Sequence, residues 1–156
     1  MKSIKFIPSL LAAVIALAAL TFTSAETIDM TQGGPGPYLA KGRPIIVERT
    51  LDFTVQNVVS GDVVIAVNLD ANTQVDRVHY SVTTGEGALL TFAIGDSANS
   101  TQYVGSVNGS NTTASISVAN NAKYYSATND LRLTVLSGSA DTAVVTMKAL
   151  LTDFGD

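Results

Sequence analysis

The sequence predicts an all-β protein, a single β-sandwich of jelly-roll-like form with eight or nine strands and an extended N-terminal arm. Three observations predict it. Beyond residue 44 nearly every segment alternates apolar and polar side chains with period two, or is rich in Val, Ile and Thr. Clusters of Gly, Asn, Asp and Ser interrupt these segments every eight to twelve residues or so, the spacing of a sandwich or barrel. No helical pattern competes with them after the N-terminal apolar run.

In chain order, residues 1–25 read as a secretory signal. Lys2 and Lys5 make a basic start, Phe6 to Leu20 is apolar, and Thr23-Ser24-Ala25 is a small-residue cleavage site. The apolar part contains Pro8 and falls short of the roughly 20 residues needed to span a bilayer. Residues 26–44 form the arm or linker, in which the Gly-Pro run from Gly33 to Pro37 breaks both helix and central strand. Residues 45–156 form the sandwich domain.

Its first strand, Ile45 to Gln56, sets Leu51, Phe53 and Val55 on one face. Val63 to Leu69 is apolar on nearly both faces, as suits a strand between layers. Val75 to Thr84 and Ala88 to Ile94 flank the turn Gly85-Glu86-Gly87. Thr101 to Val107 is a short polar edge, and Ala114, Ile116 and Val118 alternate with serines after the turn at Asn108 to Asn111. Asn120 and Asn121 turn the chain before Tyr124 and Tyr125. Leu131, Leu133 and Val135 then alternate with Arg132 and Thr134, and Ala143 to Phe154 is a long closing strand.

Charge and composition narrow the function. The 156 residues carry a net charge of −4, and the chain without its first 25 residues is more acidic, since two lysines go with them. No basic stripe is present to neutralise phosphates, which excludes nucleic acid as a partner, and no membrane association is expected after signal cleavage. There is no cysteine, so an exported, secreted domain of this size must be held by its core alone.

Enzymatic chemistry finds little to work with, and no catalytic residue is assigned. His79 is the one histidine, in mid-strand, and no G-x-S-x-G elbow surrounds a serine. Glutamate is confined to Glu26, Glu48 and Glu86, which leaves no evident carboxylate pair for glycoside hydrolysis. Calcium is the best metal candidate, because aspartates recur at turns, with Asp70, Asn72 and Asp76 the closest local cluster. Aspartate also favours turns by capping its own backbone, and no calcium-loop motif appears. Covalent glycans are a further candidate at Asn99, Asn108 and Asn111, each opening an N-x-Ser/Thr sequon on one edge region.

From Gly61 to Asp153 the segments GDVVIAVNLDANTQVDRVHYSVTTGEGALLTFAIGDS, KYYSATNDLRLTV and AVVTMKALLTDF resemble the small jelly-roll structural proteins of tailed-phage virions, of decoration or fibre type. The shared features are the Ile94-Gly95-Asp96 turn, the Tyr124-Tyr125-Ser126-Ala127 segment before the Asp130-Leu131 strand, and the apolar closing strand. The resemblance implies a non-catalytic structural role. With its secretory signal and arm the chain also resembles exported donor-strand fibre subunits, in which an extended arm completes the sheet of the next copy. Ile28, Met30, Tyr38, Ile45 and Val47 are the side chains such an arm would offer.

The leading expectation is therefore a subunit of an extracellular fibre or surface filament, a homopolymer assembled head-to-tail through the arm and sheet edges. A phage-like virion decoration or fibre protein is the alternative. A secreted glycan-binding module is the second, resting on five tyrosines and no tryptophan.

Overall fold

The computed structural model describes residues 25–30, 42–118 and 122–155. The expected signal segment up to residue 24, the Gly-Pro run, Tyr38 and the expected turn at Asn120 and Asn121 lie outside the described residues. Eleven strands are present among the described residues: β1 (Thr27–Asp29), β2 (Pro44–Asp52), β3 (Val58–Val59), β4 (Val63–Leu69), β5 (Thr73–Thr84), β6 (Leu90–Asp96), β7 (Val104–Asn108), β8 (Thr113–Val118), β9 (Lys123–Tyr125), β10 (Asn129–Ala140) and β11 (Val144–Asp153). The excess over the expected eight or nine comes from β1, β3 and β9, which have only two or three residues each and show no period in sequence.

The eight longer strands pair first with last and inward. β2 pairs with β11, β4 with β10, β5 with β8 and β6 with β7, all antiparallel. This is one long hairpin, and it is rolled so that β11 also meets β5 and β10 meets β6. The sheets that result run β2-β11-β5-β8, with β9 beside β5, and β1-β4-β10-β6-β7, with β3 beside β10. That is jelly-roll topology.

One apolar core lies between the sheets, drawing Leu51, Met147 and Val78 from one and Val64, Leu133 and Phe92 from the other. Alternation places these side chains, and where it fails the ladder explains why. Val67 and Ala66 are both buried because the β10 register skips at Leu131/Arg132, a bulge that turns two successive side chains inward. A second skip lies at Val135/Ser137, past which the burial alternation of β10 lapses, and Gly138 follows at positive φ, where a Cβ would collide with the Leu89 carbonyl oxygen.

Two expectations need correction. The first strand stops at Asp52 rather than Gln56, because the Asp52 carboxylate accepts from the Thr54 N–H (2.9 Å) and hydroxyl (2.6 Å) and turns the chain. Phe53 stays in the core, but Val55, expected beside it, is 83% exposed. Ile116, which alternates with serines in the sequence, is 40% exposed on the edge strand β8.

Candidate functional site

Three constructions stand out from the plain sandwich. The first joins the sheets at one end. Asp96 closes β6 and is 1% exposed. Its Oδ1 accepts from the N–H groups of Ala98 and Asn99 (2.8 Å each), and its Oδ2 accepts from Lys123 Nζ (2.6 Å) and the Tyr125 hydroxyl (2.7 Å), both on β9 of the opposite sheet. The Tyr103 hydroxyl adds a bond to that of Tyr125 (2.7 Å). Burial pushes the Asp96 carboxyl up, but Lys123, Tyr125 and the two backbone donors outweigh it and hold the group below the ordinary aspartate value. Tyr103 is pushed up to about 12, mainly by burial, and burial with its two hydroxyl and carboxylate partners raises Tyr125 further.

At the opposite end Glu86 leaves the β5–β6 turn and clamps the β10–β11 turn. Its carboxylate accepts from the N–H groups of Asp141 (3.2 Å), Thr142 (3.1 Å) and Ala143 (2.9 Å). Partial burial raises its pKa, and these backbone bonds lower it by more. Asp141 moves the other way because Glu86 is beside it. Glu86 is thus occupied as a loop clamp.

The third is the outer face of the β2-β11-β5 sheet. Register sets Ile46, Leu150 and Arg77 in one row across the three strands, and Glu48, Lys148 and His79 in the next. Between the rows lies a hollow of about 370 Å³ lined by Ile46, Arg77, His79, Lys148 and Leu150. Ile46 is 69% exposed, and Lys148 pairs with Glu48 at 3.1 Å. An open apolar patch rimmed by charge suits a contact surface better than a reaction pocket. Sequence reasoning passes over it, although the runs Ile45-Ile46-Val47 and Ala149-Leu150-Leu151 interrupt strict alternation and could have marked it.

The other candidates are placed as follows. Ile28 of β1 is 4% exposed inside this chain's own core, where β1 pairs in parallel with β4. Val47 is buried in the same core, and Met30 and Ile45 pack against it while partly open. The arm residues that are described are therefore docked on their own domain. Asn72, in the left-handed conformation with φ 63°, accepts from the Tyr124 hydroxyl (2.6 Å), Asp76 accepts from Gln74 and from the Thr152 hydroxyl (2.6 Å), and Asp70 is exposed at the turn. The side-chain oxygens of Asn72 and Asp76 are engaged by separate protein donors, and among the described residues no three His, Cys, Asp or Glu side chains are grouped to hold a metal. Asn99, Asn108 and Asn111 are all exposed. Asn99 Oδ1 accepts from Thr101 of its own sequon (2.9 Å), and Asn108 Oδ1 from the Ser110 N–H (2.9 Å).

A rolled eight-strand hairpin with one apolar core between its two sheets defines the class as a jelly-roll sandwich. No protein-family model and no curated protein matches the chain. Among solved structures the fold is similar to a chain in the capsid of Ralstonia phage GP4, with a TM-score of 0.58 and 12% identity over 83% of this chain and 99% of that one. It is similar also to a chain of the acidic stable capsid of Helicobacter pylori bacteriophage KHP30, with a TM-score of 0.57 and 8% identity over 74% and 92%. A third is in the capsid asymmetric unit of cyanophage Pam1, with a TM-score of 0.56 and 17% identity over 76% and 89%. The likeness is one of fold, and the resemblance to phage virion structural proteins read from the sequence holds at that level.

Proposed function

We propose that the protein is a non-catalytic structural subunit of a phage-like particle, carried outside the cell and associated with further copies of itself. The observation that carries this reading is the likeness of fold to three chains of phage capsids, which extends over 89% to 99% of their lengths. The outer face of the β2-β11-β5 sheet is the proposed contact, because Ile46 and Leu150 form its apolar centre within a charged rim. The extracellular-fibre reading has less support. It assigns Ile28 to a neighbour's groove, whereas Ile28 already fills a place in its own core, so a fibre would require β1 to be exchanged between copies.

The test is mass spectrometry of particles purified on a density gradient from the producing culture. The chain should band with the particles at a copy number comparable to their coat proteins. Recovery solely as monomer from the clear medium would sink the proposal. Filaments of this one chain would instead restore the fibre reading.

A further inference from the structure

We propose that the Ala25–Glu26 bond is a processing site and that Asp62 is a prebuilt receptor for the α-ammonium group its cleavage creates. This inference stands apart from the particle reading and needs neither particle nor fibre.

Glu26 is held on both sides of its backbone. Its N–H donates to Asp62 Oδ1 at 2.7 Å, and its carbonyl accepts from the Val63 N–H at 2.8 Å. Ala25, one residue earlier, is exposed and completes the small-residue run Thr23-Ser24-Ala25. Asp62 is 4% exposed, and its second oxygen accepts from the Val59 N–H at 2.8 Å. Both donors are neutral amides. The ion pairs among the described residues are Lys123 with Asp96, Arg132 with Asp130, and Lys148 with Glu48, so none supplies Asp62 with a cation. A buried carboxylate without a counter-charge is unfavourable, and a well-placed cation offsets its removal from water better than two neutral amides do. Of its two donor nitrogens only that of Glu26 can become one.

Cleavage supplies this charge at a nitrogen that already bonds to Asp62. An endopeptidase of the signal-removing class adds water across the peptide bond. The C–N bond breaks, the water oxygen joins the Ala25 carbonyl carbon to give a carboxylate that departs with the leader, and the protons of the water remain on the Glu26 nitrogen as ammonium. The N–H···O bond, charged until then only on its acceptor, becomes an ion pair between ammonium and carboxylate. The location matters because β1 is an edge strand of three residues whose attachment is a short parallel ladder to β4. An ammonium at its first residue adds an ion pair to a strand that the uncleaved chain already holds by this ladder and by the buried Ile28 side chain.

Intact mass of the native protein should give Glu26 as the first residue, and any other start overturns the proposal. Two chains beginning at Glu26 are then compared, one with a free α-amine and one Nα-acetylated, each with and without Asp62→Asn. The free amine should raise Tm by about 5 °C over the acetylated chain, and the difference should vanish with Asp62→Asn. Equal Tm values, or a difference that survives the substitution, overturn the pairing. Should Asp62→Asn fail to fold, the native chain decides alone. Its α-amine should react with an amine-selective ester at least about five-fold more slowly than after unfolding in urea, because pairing keeps it protonated and shielded. Equal rates overturn the proposal.

Discussion

The two ends of the sandwich are fastened in opposite ways. At the end formed by residues 70–72, 97–103 and 122–128, a buried carboxylate collects a lysine, a tyrosine and two backbone donors drawn from both sheets. At the end formed by residues 53–57, 85–89, 109–112 and 141–143, a partly exposed carboxylate gathers backbone N–H groups of one turn. The β5–β6 and β7–β8 turns also share backbone bonds there, from Glu86 to Gly109 (3.0 Å) and from Gly87 to Ser110 (3.0 Å). The difference shows what burial adds. A fully satisfied network in low dielectric can hold one sheet to the other, while a clamp at the rim sets the course of a loop and competes with water for every bond.

The largest effect that could break this contrast is Asp96→Ala. It strands Lys123 and Tyr125 without their acceptor and should lower stability by about 3 kcal/mol in urea titration. A loss no greater than that of a rim substitution would erase the distinction between the ends. Gly138→Ala comes next, at about 2 kcal/mol by the same titration, since it adds a Cβ at positive φ against the Leu89 carbonyl. This second end would then prove sensitive in its backbone rather than in its charges. Glu86→Ala should remove about 1 kcal/mol, because the three N–H groups it serves can turn to solvent. Tyr103→Phe, which deletes the outermost hydroxyl of the buried network, should have a similar or smaller effect of about 1 kcal/mol.

Acid sharpens the comparison. The folded Asp96 carboxyl titrates below its unfolded value of about 3.9. Its contribution is therefore complete above that pH and is lost as the pH falls through the folded value. Glu86 has the same sign, but the raised pKa of Asp141 opposes it. Stability profiles taken downward from pH 5 should thus flatten markedly in Asp96→Ala and little in Glu86→Ala. A profile unaltered by Asp96→Ala would deny the carboxylate its place in the network.

Much of the architecture is legible in the amino-acid sequence. The phase of Leu131, Leu133 and Val135 and that of Val145, Met147, Ala149 and Leu151 place the core faces of β10 and β11 directly, because a half-buried strand must alternate. The short strands β3 and β9 are hidden, since two or three residues carry no period. The bulges at Ala66 and Leu136 are hidden too, for they are properties of a register between distant strands. The Asp96 network joins positions 96, 103, 123 and 125, and nothing local distinguishes Asp96 from the other turn aspartates. Ile28 reads as a free arm residue because its groove, beside β4, is formed only once the chain has rolled.

The most direct test of the structural-subunit account is a cryo-EM reconstruction of the purified particles. The account predicts jelly-roll density in symmetric copies, with the Ile46 and Leu150 face of the β2-β11-β5 sheet turned toward a neighbouring subunit. Particles that lack this density, or that carry it with that face open to solvent in every copy, would contradict it.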